Sequence, residues 1–417
     1  MDLTNTLQAT RLAARTLAIL STAEKNAAIN TVARRLEQAQ DEVLQANALD
    51  VAAAVDAGMA PAMVDRLTLD EKRWQAIISD LRHVADLPDP VGVVLAKNQL
   101  PNGLDVQRIR VPLGVIAVIY EARPNVTVDV FGLAIKSGNG IILRGGKETL
   151  RTNLAIIRNI REGLKTTAVP PESVTFIDDP DRDIVLAMLK RYDLIDLVIP
   201  RGGAGLHQFC RENSQIPVIT GGIGICHLFV DESADIEQSL NVIHNAKTQR
   251  PSVCNALDTV LVHESIAGKF LPELSVRMTQ AGVTLHIDEK AAAYLTLSPL
   301  VQKAAEGDFD REWLSLDLGV RIVAGLDEAI AHIQSHSTGH SDGILTENHA
   351  NAAIFCQKVD SAAVYVNAST RFTDGSALGL GAEMAISTQK LHARGPMALE
   401  ELTTYKWVIE GQYTVRG

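Results

Sequence analysis

The stretch NAKTQRPSVCNALDTVLVH, residues 245–263, sets Cys254 between a helical pattern and an apolar β-branched run, just after Gln249, Arg250, Pro251 and Ser252. A thiol attacks carbon as its thiolate, and neighbouring cations favour that form. Lys247 and Arg250 are the cations near it in sequence. Ile236, Leu240 and Ile243 recur at helical spacing, which predicts a helix over 233–249 with Ser233 as its N-cap. Pro251 ends that helix and leaves Cys254 on a fixed turn. The chemistry on offer is covalent, nucleophilic catalysis. A buried structural cysteine is the plainer alternative; the polar, basic, turn-forming surroundings favour the nucleophile.

Two glycine-rich turns could hold an anion. LIDLVIPRGGAGLHQF runs strand, turn, helix, and its Arg201, Gly202 and Gly203 stand where backbone N–H groups face a phosphate. It lacks the full GxGxxG pattern, and a tight turn that needs glycine for its backbone angles explains it equally. In SGNGIILRGGKE, Arg144, Gly145, Gly146 and Lys147 follow a strand, at the end where open α/β sheets bind ligands; solvated surface is the other reading of the two cations. Asn125 in EARPNVTVD begins a helix, either as its cap or as an amide that donates to a developing oxyanion. His332, His336 and His340 suggest a metal, but Gly339 breaks the helical face and no carboxylate or thiol completes a ligand set. No metal site is expected, and Cys226–His227 reads as packing.

The elements that must position these residues alternate. Residues 1–85 are Ala-rich and helical. The span 91–110 carries PNG between two strand-like runs and reads as a hairpin. From 111 strands and helices alternate, with PVIT among the strands, and CHLFVD opens a second series after a seam near 221–226. That order predicts an α/β protein built on a doubly wound parallel sheet. LTTYKWVIEGQYTVRG reads as an exposed terminal strand that invites a second subunit.

Bulk properties narrow the class. The chain has 417 residues, enough for two or three domains. Its 46% hydrophobic and 21% charged content is that of a folded protein. A net charge of −11 argues against nucleic acid or an anionic membrane as main partner. The four cysteines show no CxxC spacing, the first residues carry no apolar signal segment, and no run nears the ~18–20 apolar residues of a membrane span. A cytoplasmic protein with reduced thiols is the expectation.

With these pieces in view, the chain resembles the γ-glutamyl phosphate reductase (glutamate-5-semialdehyde dehydrogenase) family of the aldehyde dehydrogenase superfamily. VPLGVIAVIYEARPNVTVDV, GLAIKSGNGIILRGGKE, VIPRGGAGL, QRPSVCNALDTVLVH and STRFTDGSALGLGAEMAISTQKLHARGPMALEELTTYKWV carry the likeness over nearly the whole length. It implies an aldehyde dehydrogenase-like fold: an NADP-binding domain from 1–92 and 111–225, a catalytic domain from 226–395, and an oligomerisation element from 93–110 and 396–417. It implies NADPH-dependent reduction of L-glutamyl 5-phosphate to L-glutamate 5-semialdehyde through a cysteine thioester, the second step from glutamate to proline. Cys254 would be the nucleophile and Asn125 the oxyanion amide. The turns Arg144–Lys147 and Arg201–Gly203 would line NADP(H). Lys147 stands where NAD-preferring relatives commonly have a ribose-binding glutamate, and would suit a 2′-phosphate. Arg371, Lys247 and Arg250 are the candidate substrate-binding cations. Hydrolytic relatives carry a glutamate base in the region that here reads PVITGGIGICH, with Thr220 and no carboxylate. A homo-oligomer is expected, dimer or tetramer, with glutamate 5-kinase as a candidate partner. Two rivals stay open: a hydrolytic aldehyde dehydrogenase and a non-catalytic scaffold of the same fold.

Overall fold

The computed structural model describes residues 2–179, 181–221 and 223–416. The chain forms two compact units, one from the residues up to Thr220 with Gly379–Ala385 and the chain from Met397 onward, the other from Gly221–Leu378 with Ile386–Pro396.

In the first unit, amphipathic helices precede a parallel sheet. Leu3–Leu17 is capped by the Asp2 carboxylate, which accepts from Asn5 N, and Thr22–Gln38 by a Ser21/Glu24 capping box. Their buried stripes include Leu7, Leu17, Ile29, Val32 and Leu36. The sheet runs Val174–Phe176, Gly140–Gly145, Val115–Tyr120, Leu197–Arg201, with every pairing parallel. All six residues of Val115–Tyr120 are buried, as an apolar run between two covered faces must be. The chain moves outward from this strand on one side and returns to its other side as Leu197–Arg201. The strand order therefore switches between these two, and their carboxyl ends frame a crevice. The run expected as strand PVIT makes one bridge only, Val198 to Val218, because the chain leaves the sheet edge there.

The hairpin forms as Val94–Gln99 against Asp105–Pro112, antiparallel around the PNG turn. The terminal strand, expected to be exposed and to invite a second subunit, is Thr403–Glu410; it pairs with Asp105–Pro112 of its own chain and is the outer strand of that three-stranded sheet. Residues 411–416 add no strand.

The second unit centres on a seven-stranded, all-parallel sheet. Its order is Val301–Lys303, Thr284–Ile287, Asp317–Val323, Leu257–His263, Cys226–Val230, Ser341–Leu345, Ala363–Val366. Successive side chains alternate between two cores: Leu228 and Val230 pack with Phe270 and Leu274, and Phe229 packs with Ile344 and Phe355. Each fully buried side chain of this size contributes about 1.5–3 kcal/mol. The helix before the cysteine starts later than expected, at Ile236, and ends at Thr248. Its N-cap is Asp235, whose side chain accepts from Gln238 N at 2.9 Å. Ser233 is engaged elsewhere, with its hydroxyl 3.0 Å from Asp231 Oδ2 and 2.8 Å from Thr346 Oγ1.

Candidate active site

The cysteine turn of the second unit is built from both sides. Helix Ile236–Thr248 delivers the chain to Gln249, and Pro251 turns it away. Cys254 is half-buried. The next residue, Asn255, is 4% exposed, and its Nδ2 donates to the carbonyls of Arg371 at 3.3 Å and Thr373 at 2.9 Å. Thr370 Oγ1 donates back to Asn255 O at 2.8 Å. From below, the buried Cys226 thiol donates to the Cys254 carbonyl at 3.3 Å. Gly224 lies so close that an added Cβ would overlap that same carbonyl oxygen. Backbone and side chains thus hold the turn on which the half-buried Cys254 sits.

Arg371 supplies positive charge beside this thiol, and Arg250 lies near Arg371. Arg371 is half-buried and its Nε donates to Gln249 Oε1 at 2.9 Å. Burial, then the neighbouring Arg250 charge, holds the Arg371 pKa below the ordinary guanidinium range, while Cys254 acts in the opposite direction. A guanidinium beside a thiol favours the thiolate, and the Arg371–Arg250 pair suits an anionic ligand. Lys247 does not join them: it is fully buried, its Nζ 3.8 Å from Asp258 Oδ1. Asp258 also accepts from Cys226 N at 3.2 Å and Trp313 N at 3.0 Å, and burial raises its pKa to about 6. Burial likewise pushes the Cys226 thiol well above its usual range and Cys210 to about 11, so both stay protonated.

The histidines are placed as packing groups. His332 stacks on His336 at 4.3 Å between centroids, and burial drives its pKa down to about 2. His227 pairs with Asp342 at 3.1 Å, and His340 with Ser341 at 2.7 Å. Among the described residues no group of three or more His, Cys, Asp or Glu is arranged to hold a metal ion.

In the first unit, Asn125 is the opening residue of helix Asn125–Lys136, and its N-cap is Pro124. The Asn125 side chain does not cap; its Nδ2 donates to Asp129 Oδ2 at 2.9 Å. Burial raises the Asp129 pKa to about 6, opposed by the Asn125 bond and by Arg201. Arg144, next to last in strand Gly140–Gly145, is half-buried, its pKa lowered by burial; Lys147 is exposed at the start of the following turn. A Cβ at Gly145 would strike Asn153, and one at Gly146 would strike the Glu148 carboxylate, whose Oε1 accepts from Ala122 N at 2.7 Å.

At the other turn, Gly203 is the N-cap of helix Ala204–Asn213 and lacks a side-chain cap; its N–H donates to Glu121 Oε2 at 3.1 Å. Arg201 Nε and His207 Nδ1 are buried there without a hydrogen-bond partner. Burial, then Arg201, lowers the His207 pKa to about 4. Gly203 and Gly205 have open space where a side chain would stand. Unpartnered donors, a helix N-terminus and uncrowded glycines beside the switch point fit the phosphates of a dinucleotide. Sequence reasoning missed Glu121, Asp129, His207, Cys226 and Asp258. Only Asp129 had a local signal, one helical turn after Asn125.

Known proteins resemble this chain in sequence and fold. A model of the aldehyde dehydrogenase family matches residues 1–311. The gamma-glutamyl phosphate reductase of Cronobacter sakazakii is 56% identical over 411 residues, which are 98% of this chain and 99% of that protein. The crystal structure of gamma-glutamyl phosphate reductase from Thermotoga maritima superposes with a TM-score of 0.97 at 48% identity, over 100% of both chains. An acetylating aldehyde dehydrogenase from Geobacillus thermoglucosidasius has the same fold, with a TM-score of 0.70 at 19% identity. A cysteine on a braced turn, a crevice at the switch point of a parallel sheet and a match over nearly the whole chain agree: the chain belongs to the aldehyde dehydrogenase family and, within it, to the γ-glutamyl phosphate reductases, and is an oxidoreductase.

Proposed function

We propose that this chain reduces L-glutamyl 5-phosphate to L-glutamate 5-semialdehyde and phosphate with NADPH, the second step from glutamate to proline. The observation that carries the reading is the Cys254 turn, braced through Asn255 and the Cys254 carbonyl, with Arg371 beside Cys254 and Arg250 near Arg371. The near-complete match to relatives bearing that enzyme name supports the substrate.

Membership in the family brings a nicotinamide cofactor with it, which when bound supplies the hydride that reduces the acyl group. The residues that would hold it are Arg201, Gly202 and Gly203 at one turn and Arg144, Gly145, Gly146 and Lys147 at the other. An exposed lysine at 147 suits the extra phosphate of NADP. In the step run by the protein, Cys254 Sγ attacks the acyl carbon, phosphate departs with the bonding electron pair, and an acyl thioester remains on Cys254. Phosphate leaves without a strong general acid. Asn125 is the proposed amide donor to the oxyanion, a role typically worth ~3–4 kcal/mol. Arg371 and Arg250 are the proposed partners of substrate anions. Lys247, buried against Asp258, supports the turn from inside instead of meeting substrate.

The same reading divides the chain as a cofactor domain from 1–92 and 111–225, a catalytic domain from 226–395 and an oligomerisation element from 93–110 and 396–417. Tyr405, Trp407 and Ile409, all exposed on the terminal strand, support assembly into a homo-oligomer. A cytoplasmic setting and transfer of the acyl phosphate from glutamate 5-kinase complete it. Among the described residues no helix is long and apolar enough to cross a membrane.

The test runs the reaction backwards, with glutamate semialdehyde and NADP, with and without inorganic phosphate, beside Cys254→Ala. Phosphate-dependent NADPH formation that disappears in the variant is expected. Equal turnover without phosphate would identify a hydrolytic enzyme and overturn the proposal.

A further inference from the structure

We infer that Asp129 is a positioning residue: its carboxylate fixes the amide plane of Asn125 and so decides which amide atoms are offered to the reacting acyl oxygen. The inference rests on the reading of Asn125 as the oxyanion donor and adds a group that makes that donor work.

An asparagine amide rotates broadly about its last torsion, and its oxygen and nitrogen are nearly the same size. Sterics alone therefore leave two orientations, of which one presents a carbonyl, and that orientation repels an oxyanion. Asn125 is the first residue of its helix and its side chain makes no cap, so the helix end does not choose between them. Asp129, one turn later on the same face, does. An ionised carboxylate only accepts, so only Nδ2 can face it, as it does at 2.9 Å. One amide hydrogen is spent on Asp129, and the second stays available in a fixed direction.

The groups acting on Asp129 from the elements around it are Arg201, from strand Leu197–Arg201, and Asp80, from helix Glu71–Asp86; Asn125 is its partner on its own helix. Burial, the largest effect, raises the Asp129 pKa to about 6. Once protonated, the carboxyl can donate as well as accept, so it no longer excludes the flipped amide. The lock is present above pH of about 6 and released below it.

The experiment measures kcat and KM for Asn125→Ala, Asp129→Ala, the near-isosteric Asp129→Asn and the double variant Asn125→Ala/Asp129→Ala, with circular dichroism confirming the fold. Asp129→Ala is expected to lower kcat about tenfold, the order expected of a lost orienting group, with KM for NADP unchanged. The double variant should be no slower than Asn125→Ala, because the lock has nothing left to hold. The ratio of wild-type to Asp129→Asn kcat should shrink as pH falls below about 6, a response that a purely structural role would not give. A slow Asn125→Ala combined with wild-type kcat in both Asp129 single variants, or with a fully additive double variant, overturns the inference alone. Wild-type kcat in Asn125→Ala would remove the oxyanion reading, and the inference with it.

Discussion

Four thiols in one chain meet four environments, and only one of them suits a nucleophile. Cys210 and Cys226 are buried and held protonated, Cys356 is exposed, and Cys254 is half-buried beside Arg371. Iodoacetamide should therefore modify Cys254 first and leave Cys210 and Cys226 intact in the folded protein, as peptide mass mapping would register; modification of Cys226 ahead of Cys254 would contradict the assignment. Asp258 yields a pH prediction with a definite sign. Its folded-state pKa, about 6, lies above the ordinary aspartate value, so the folded state binds the proton more tightly. The stability this group contributes is present below the unfolded pKa and is lost as pH rises through the folded one. Between pH about 4 and 6 the melting temperature of Asp258→Asn should rise relative to wild type as pH increases. Removing Lys247 instead, as Lys247→Met, strips a buried carboxylate of its cation and should cost about 3–5 kcal/mol in denaturant unfolding. The burial of Lys247 was legible in principle. Ile236, Leu240, Ile243 and Lys247 share one helical stripe, and that spacing turns the lysine inward although its charge suggests the surface.

Local chemistry decided most elements, and where two local signals competed the tertiary partner chose. Ser233 and Asp235 are both good cap residues; Asp235 won because the Ser233 hydroxyl is committed to Asp231 and Thr346. Asp235→Ala should lower stability by about 0.5–2 kcal/mol through the lost cap, as chemical unfolding would measure. Gly224 shows a constraint that no local pattern reveals, since its need for hydrogen in place of a side chain arises from Cys254, thirty residues on in the chain. Gly224→Ala must displace the Cys254 carbonyl and its Cys226 bond. Its kcat should fall at least tenfold, in line with the sensitivity of reacting groups to small misplacements, and a wild-type kcat would show that the turn does not depend on that close approach. The alternating strands and helices, the PNG hairpin and both glycine turns were readable because each rests on a short periodic or turn signal. The pairing of Thr403–Glu410 with Asp105–Pro112 was not, because its partners lie about three hundred residues apart and nothing local specifies it.

For the whole molecule, the chain is a two-unit aldehyde dehydrogenase-like enzyme, and the hairpin with the terminal strand is the proposed contact with another copy. Tyr405, Trp407 and Ile409 lie on one face of their strand, with Arg108 over the Tyr405 and Trp407 rings at 4.8 and 5.9 Å. Trp407→Glu should shift the protein to a smaller species in light scattering, whereas an unchanged mass would place the subunit contact elsewhere. The fold class could be read from sequence because strand and helix periodicity are local facts, and the proposed nucleophile was singled out by an equally local one, a cysteine just after a proline-ended helix. The bond from Cys226 to the Cys254 carbonyl emerged only from the folded chain, whereas Asp129 stands one helical turn after Asn125 and so had a local signal that went unread. The central claim is that Cys254 carries the acyl group. The most direct measurement incubates the protein with glutamate semialdehyde and NADP in the absence of phosphate, quenches in acid and maps peptides by mass. The account predicts one glutamyl group on the peptide containing Cys254, discharged when phosphate is added before the quench. Turnover in Cys254→Ala, with no acyl group on Cys254 in the wild type, would contradict it.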